Sequence, residues 1–122
     1  MEIIRVQLQL KALLLTLACF ALAASAFSAD DATVQKGQKV FDYWCATCHG
    51  ANLPGTIALE AKYKGAKPAL LSERTDLAPP VTKTFVRKGV SIMPFFRKTE
   101  VSDADLDALA AYLARNNKPG KP

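Results

Sequence analysis

The sequence contains one histidine, His49, and three cysteines, Cys19, Cys45 and Cys48, in 122 residues. A single histidine excludes a multi-histidine metal centre. Three cysteines, one of them near the amino terminus, leave at most one bridge and exclude a disulfide-dense scaffold. A second cysteine pair is missing, which also excludes a zinc ribbon. No arginine-rich run or interleaved aromatic platform is present, so nucleic acid is not an expected partner. Sustained two-residue alternation is absent, which argues against a sheet. Internal repeats and low-complexity tracts are absent too. The length suits one domain and excludes an enzyme with separate cofactor and substrate domains.

The chain opens on a pattern of export. Arg5 and Lys11 form a basic region, Ala12 to Ala24 is uncharged and mostly apolar, and Ala24-Ser25-Ala26 is a small-x-small cleavage site. Residues 1–26 are therefore expected to be a signal peptide, with cleavage as late as residue 29, leaving a domain over 30–117 and a tail over 118–122. The apolar run is short for a bilayer span of about 20 residues, which argues against a retained anchor. A lipoprotein route through Cys19 is weaker still, because Thr16 stands three residues before it and the residues after it stay apolar. The expected location is a bacterial periplasm. Removing Arg5, Lys11 and Glu2 leaves 14 cations and 10 anions, a net charge of +4. What remains is about 96 residues, a marginal core unless a bulky group helps to fill it.

The mature chain reads as helices and loops. A first helix is expected from about Thr33 to Ala46, with Val34, Gly37, Phe41 and Trp44 on one face. Asp30, Asp31 and Thr33 supply acceptors at its start. Glycine inside a helix costs about 1 kcal/mol against alanine, so Gly37 points to another backbone passing close by. A short helix is expected over Thr56–Lys64, stopped by Gly65, then a loop or single turn over Lys67–Asp76. Pro80 suits the first turn of a helix ending at Lys88 with Gly89 as its stop. Gly89 to Glu100 reads as a loop interrupted by Pro94. The last helix carries the fullest set of local signals. Ser102 is its cap, Asp105 sits in capping-box position, and Val101 with Leu106 forms a staple. Leu106, Leu109, Ala110 and Leu113 follow the helical stripe to an end near Asn116. Asp103, Asp105 and Asp107 suit the positive end of the dipole and Arg115 the negative end, so those acids read as structural.

The chemistry lies in Cys45-Ala46-Thr47-Cys48-His49, the Cys-x-x-Cys-His pattern of covalent haem attachment. Two thiols three residues apart on a helical turn can each add to a haem vinyl group, and the adjacent imidazole then faces the iron. A thioredoxin-like pair would sit at a strand-to-helix junction, and no strand precedes it. A structural disulfide would give His49 no role. One haem c needs a further axial ligand or an open position. Met93, in Gly89-Val90-Ser91-Ile92-Met93-Pro94-Phe95-Phe96, is the only methionine besides the initiator. A methionine beside two phenylalanines often just fills a core. Here the iron needs a ligand, no second histidine exists, and soft sulfur suits Fe(II). Cys45, Cys48, His49 and Met93 are thus the expected haem-binding residues, with His49 and Met93 on the metal; such ligation raises the potential and suits electron carriers.

Residues 33–116 resemble a small class I cytochrome c through Gly37, Phe41, Cys45 to His49, the Gly89-to-Pro94 loop and Ala111-Tyr112-Leu113. The resemblance implies an all-α fold. Its first and last helices would cross beside the covalent haem at Gly37, with Leu109 and Tyr112 opposite. Pro54-Gly55-Thr56, Lys62-Tyr63-Lys64-Gly65, Arg74-Thr75-Asp76-Leu77 and Val86-Arg87-Lys88-Gly89 through Arg97-Lys98-Thr99-Glu100 carry a narrower resemblance. They look like cytochrome subunits of flavoprotein dehydrogenases such as 4-cresol dehydrogenase and eugenol hydroxylase. That implies a flavoprotein partner oxidising a 4-alkylphenol and passing electrons singly to this chain. The alternatives are a diffusing carrier feeding a terminal oxidase or reductase, and a subunit of a quinoprotein alcohol dehydrogenase. In the wider family a proline carbonyl often accepts from the axial imidazole. Here Pro54 comes early and Pro68 late, and the sequence does not say which residue serves.

Phe41, Trp44, Phe85, Phe95, Phe96, Leu109 and Tyr112 are candidates to wall the macrocycle, and Arg74, Tyr63, Trp44 and Lys67 to meet its propionates. Lys62, Lys64, Lys67, Lys83, Arg87, Lys88, Arg97 and Lys98 lie between the haem motif and the last helix, and the resemblance implies that several would ring an exposed haem edge, where they would steer an acidic partner. The function expected is electron transfer, not catalysis. A small haem peroxidase would need an open iron and a distal group, and no histidine is free for that. A haem sensor would need an output domain.

Overall fold

The structure is a computed structural model and describes residues 31–117. The expected signal peptide, its Cys19 and the 118–122 tail lie outside the described residues, as does Asp30. Thr33 onward forms one compact unit.

The described chain is helical. Helix α1 covers 31–44, α2 is Ala46–His49, α3 is Pro54–Tyr63, α4 is Pro79–Lys88 and α5 is Asp103–Ala114, with a 3-10 turn at Leu71–Glu73 between α3 and α4. The only strand-like pairing among the described residues is an isolated bridge between Val90 and Met93. No described helix is long and apolar enough to cross a membrane.

Local chemistry accounts for most of these boundaries. Pro54 and Pro79 start α3 and α4 at first-turn positions, where the missing N–H has no partner to lose. The expected starts at Thr56 and Pro80 are therefore slightly late. Lys64, with φ +48°, takes the left-handed cap position of α3, and Gly65 follows at φ +82°. Ser102 caps α5 by accepting from the Asp105 N–H at 3.1 Å, and its hydroxyl donates to Asp105 Oδ2 at 2.7 Å. Val101 and Leu106, the two staple residues, are both buried.

Phe41 from α1, Leu77, Val86 from α4, Val101, and Leu106, Leu109, Tyr112 and Leu113 from α5 form one buried cluster. Gly37 is where α1 meets α5. A Cβ there would fall on the Ala108 carbonyl, 2.5 Å from its carbon and 2.7 Å from Tyr112 Cβ. The crossing expected at Gly37 is thus present, against Ala108 and Tyr112 rather than Leu109. Ion pairs tie the start of α5 to its neighbours. Lys36 of α1 reaches Asp105 at 2.8 Å, Lys83 of α4 reaches Asp107, and Arg87 of α4 reaches Asp103 at 2.8 Å.

Candidate functional site

The first helix does not run unbroken into the Cys-x-x-Cys-His segment. At Cys45 the backbone opens to φ −112°, ψ −35°, and α2 starts at the next residue. The break is shallow. Cys45 N–H still donates to Phe41 O at 2.8 Å, and His49 N–H donates to Cys45 O at 2.8 Å. Both thiols are free, Cys45 half-buried and Cys48 exposed. Burial, with Cys48 beside it, pushes the Cys45 thiol up to about 11. Burial also holds the His49 imidazole below its usual range, which favours the neutral ring that a metal requires.

His49 Nδ1 is buried and has no hydrogen-bond partner. Neither Pro54 nor Pro68 accepts from it. The ring lies against the start of α3, where a Cβ on Gly55 would stand 2.8 Å from Cys48 O and 3.1 Å from His49 Cε1. Only glycine lets that turn lie on the Cys48-His49 segment, a contact the sequence reading missed.

Met93 sits across the core edge in a tight loop. Val90 N–H donates to Met93 O at 3.1 Å and Met93 N–H to Val90 O at 2.9 Å, with Ser91 at φ +53° between them. Gly89, at φ +69°, lets the loop close, because a Cβ there would stand 2.7 Å from Met93 O. Met93, Cys45, Ala46, Trp44 and Phe96 are all half-buried against the same core. Trp44 meets Phe96 edge-on at 5.9 Å, joining the end of α1 to the end of the Met93 loop.

The chain also exposes much apolar side chain for so small a core. Ile92 is 77% and Phe95 61% exposed, and Val81, Phe85 and Val90 join them within residues 81–95. Val81 and Phe85 are one helical turn apart and share a face of α4. Uncovered apolar side chains at this density mark a surface that something else covers. A flat apolar macrocycle fits that requirement, and paired thiols with a half-buried imidazole, unpartnered at its buried Nδ1, fit its attachment. Of the expected walls, Phe41, Leu109 and Tyr112 lie in the core, Trp44 and Phe96 are half-buried, and Phe85 and Phe95 are exposed.

Three of the four expected propionate donors, Arg74, Tyr63 and Lys67, are already engaged. Arg74 is 4% exposed and holds Asp76 in a fork, Nε to Oδ1 at 2.6 Å and Nη2 to Oδ2 at 2.9 Å. Its guanidinium lies 4.7 Å from the Tyr63 ring centre. Lys67 also pairs with Asp76. Most of the expected basic ring is likewise neutralised locally. Besides Lys67, Lys83 and Arg87, Arg97 pairs with Glu100 and Lys98 with Asp103. Lys62, Lys64 and Lys88 have no acidic partner among the described residues. An open cleft of about 240 Å³, of mixed polar and apolar lining from Thr56, Glu60, Leu70 and Glu73 with Ala51, Asn52 and Ala69, includes none of the four expected haem-binding residues.

With this geometry in view, the comparisons with known proteins are specific. The family model described as cytochrome c oxidase, cbb3-type, subunit III matches residues 32–113. The chain is 30% identical over 96 residues to the cbb3-type cytochrome c oxidase subunit CcoP of Azospirillum brasilense, covering 77% of this chain and 32% of that protein. It thus spans about a third of that relative's length. No solved structure is significantly similar.

Proposed function

The chain belongs to the cbb3-type cytochrome c oxidase subunit III family, and from that premise we propose that it is an exported, single-haem electron carrier of the periplasm. Membership makes it a c-type cytochrome with covalently bound haem c, a protein that moves electrons and is not itself an enzyme. When bound, the haem supplies a one-electron Fe(III)/Fe(II) couple.

The placement of the chain's own residues supports a role for each. Cys45 and Cys48 would tether the porphyrin through thioethers. His49 and Met93 would hold the iron. Trp44, Phe96, Phe85 and Phe95 would keep water from the ring, which would keep reorganisation small when the charge changes. The observation that carries this reading is the half-buried His49 ring, whose buried Nδ1 has no partner, on the same short helix as Cys48 and one turn after Cys45.

The finer proposal concerns the partner. The Arg74-to-Leu77 and Val86-to-Glu100 segments support a flavoprotein dehydrogenase of 4-alkylphenols, which takes a hydride from the benzylic carbon and releases its electrons one at a time to this chain. The likeness to CcoP supports a second reading, delivery of electrons to a terminal oxidase. Both can be tested on protein from the native host. The Met93→Ala variant should lose the far-red ferric iron–methionine band, and an unchanged band would remove Met93 from the iron. Co-purification of a large subunit with stoichiometric flavin supports the first partner. Co-purification with oxygen-reducing oxidase subunits supports the second and overturns the first.

A further inference from the structure

The Met93 loop is gripped from outside by one side chain. Arg87 stands in the last turn of α4, mostly buried, with its side chain 22% exposed. Its Nη1 donates to the Phe96 carbonyl at 3.1 Å, and its Nη2 donates to Asp103 Oδ1 at 2.8 Å. The same Phe96 uses its N–H on Val86 O at 2.8 Å. Both main-chain groups of the residue that closes the loop are therefore held by neighbouring residues of α4. Asp103, the far anchor, sits in the first turn of α5 and is also held by Lys98 Nζ at 2.7 Å. Asp103's carboxyl lies below the usual carboxylate range, through its bonds from Lys98 and Arg87, so it stays charged at neutral pH.

We propose that Arg87 is the positioning residue for the Met93 ligand, a strut that locks the 89–96 loop between α4 and α5. This rests on the reading of Met93 as an iron ligand. The guanidinium suits the task because its planar fork reaches a carbonyl and a carboxylate at once, which an ammonium cannot reproduce. The loop needs such a strut. The Val90–Met93 pair closes the loop on itself but is an isolated bridge, so the loop's seat on α4 and α5 depends on contacts from outside it. A charge-assisted hydrogen bond shifts an opening equilibrium by roughly ten- to a hundredfold. Loss of the strut raises the population in which the thioether has left the iron by that factor.

The test is displacement of Met93 by imidazole in the ferric, haem-loaded protein, followed by loss of the far-red band. The iron–sulfur bond breaks as an iron–nitrogen bond forms, so the half-displacement concentration reports how often the loop lets go. In Arg87→Ala it should fall about tenfold or more, and in Arg87→Lys nearly as far. Lys83→Ala is the control: it removes another α4–α5 ion pair, to Asp107, that makes no contact with the loop. It should leave the half-displacement concentration unchanged. Equal shifts in Arg87→Ala and Lys83→Ala would reduce Arg87 to general packing, and no shift in Arg87→Ala would remove its role altogether. Failure of the parent reading is separately visible, because a wild-type protein without the band has no iron–Met93 bond to displace.

Discussion

Substituting Gly37 by alanine sets two opposing effects against each other at a single methyl group. Alanine is the better helix former by about 1 kcal/mol, and it also lowers the entropy of the unfolded chain. On an isolated helix the change would stabilise. Here the methyl carbon would lie 2.5 Å from the Ala108 carbonyl carbon and 2.7 Å from Tyr112 Cβ. Ordinary contact begins about an ångström farther out. Neither obstacle is the free end of a side chain, so no rotamer change relieves the overlap. The helices must separate instead, and α5 carries Leu106, Leu109, Tyr112 and Leu113, half of the buried cluster. Overpacking a closed core costs about 1–3 kcal/mol. With backbone as the obstacle the upper end applies, and after the propensity gain the net loss is about 2 kcal/mol. For a domain of this size that lowers Tm by about 8–16 °C. Helical circular dichroism on the haem-loaded protein measures it. Gly65→Ala is the comparison: its φ is +82° with nothing near its Cβ, so only the backbone penalty of roughly 1–2 kcal/mol applies. A Gly37→Ala protein as stable as the wild type would mean that α1 and α5 do not cross at this distance.

Two further outcomes test the supports of the site. Ser102→Ala removes the acceptor for the Asp105 N–H and should cost about 1 kcal/mol, whereas Ser102→Thr should retain most of it; equal melting of all three proteins would deny the cap. Asp76 is held well below the usual carboxylate range, first by its hydrogen bond from Arg74 and then by that from Lys67. Its folded-state pKa is depressed, so its stabilisation is full at neutral pH. It is lost as pH falls through the unfolded-state value of about 3.9 and below. In Asp76→Asn the buried Arg74 loses its charged partner, so Tm at pH 7 should fall and its decline below about pH 5 should flatten. Glu100, Asp103 and Asp105 shift in the same direction, so the acid slope should shrink without vanishing. An unchanged Tm–pH profile would show that the Arg74–Asp76 pair carries no linkage.

What could be read ahead of the structure, and what could not, divides by the distance over which each residue acts. The α5 cap needed only Ser102 and Asp105, three residues apart, and a rule about orphaned N–H groups. Gly37 was legible because a poor helix former inside a helix demands a reason, and the only reason available is something close to its Cα. The haem motif is local as well, five consecutive residues with one chemistry that uses all three functional side chains. The break at Cys45 was not legible, since nothing in Phe41 to Cys48 disfavours a continuous helix. The starts of α3 and α4 were legible in principle, because the first-turn rule that was applied to Pro80 holds equally for Pro54 and Pro79. The charged residues were read least well, for a physical reason. A lysine or arginine has the reach to find acids on other elements, as Lys36 and Arg87 do at 2.8 Å across 69 and 16 residues of chain. Composition reports the charges and not these pairings. Lys83, Arg87 and Lys98, which read as part of a steering surface, therefore turn out to staple α4 and the segment after the Met93 loop onto Asp107 and Asp103 at the head of α5, beside the Lys36–Asp105 pair from α1.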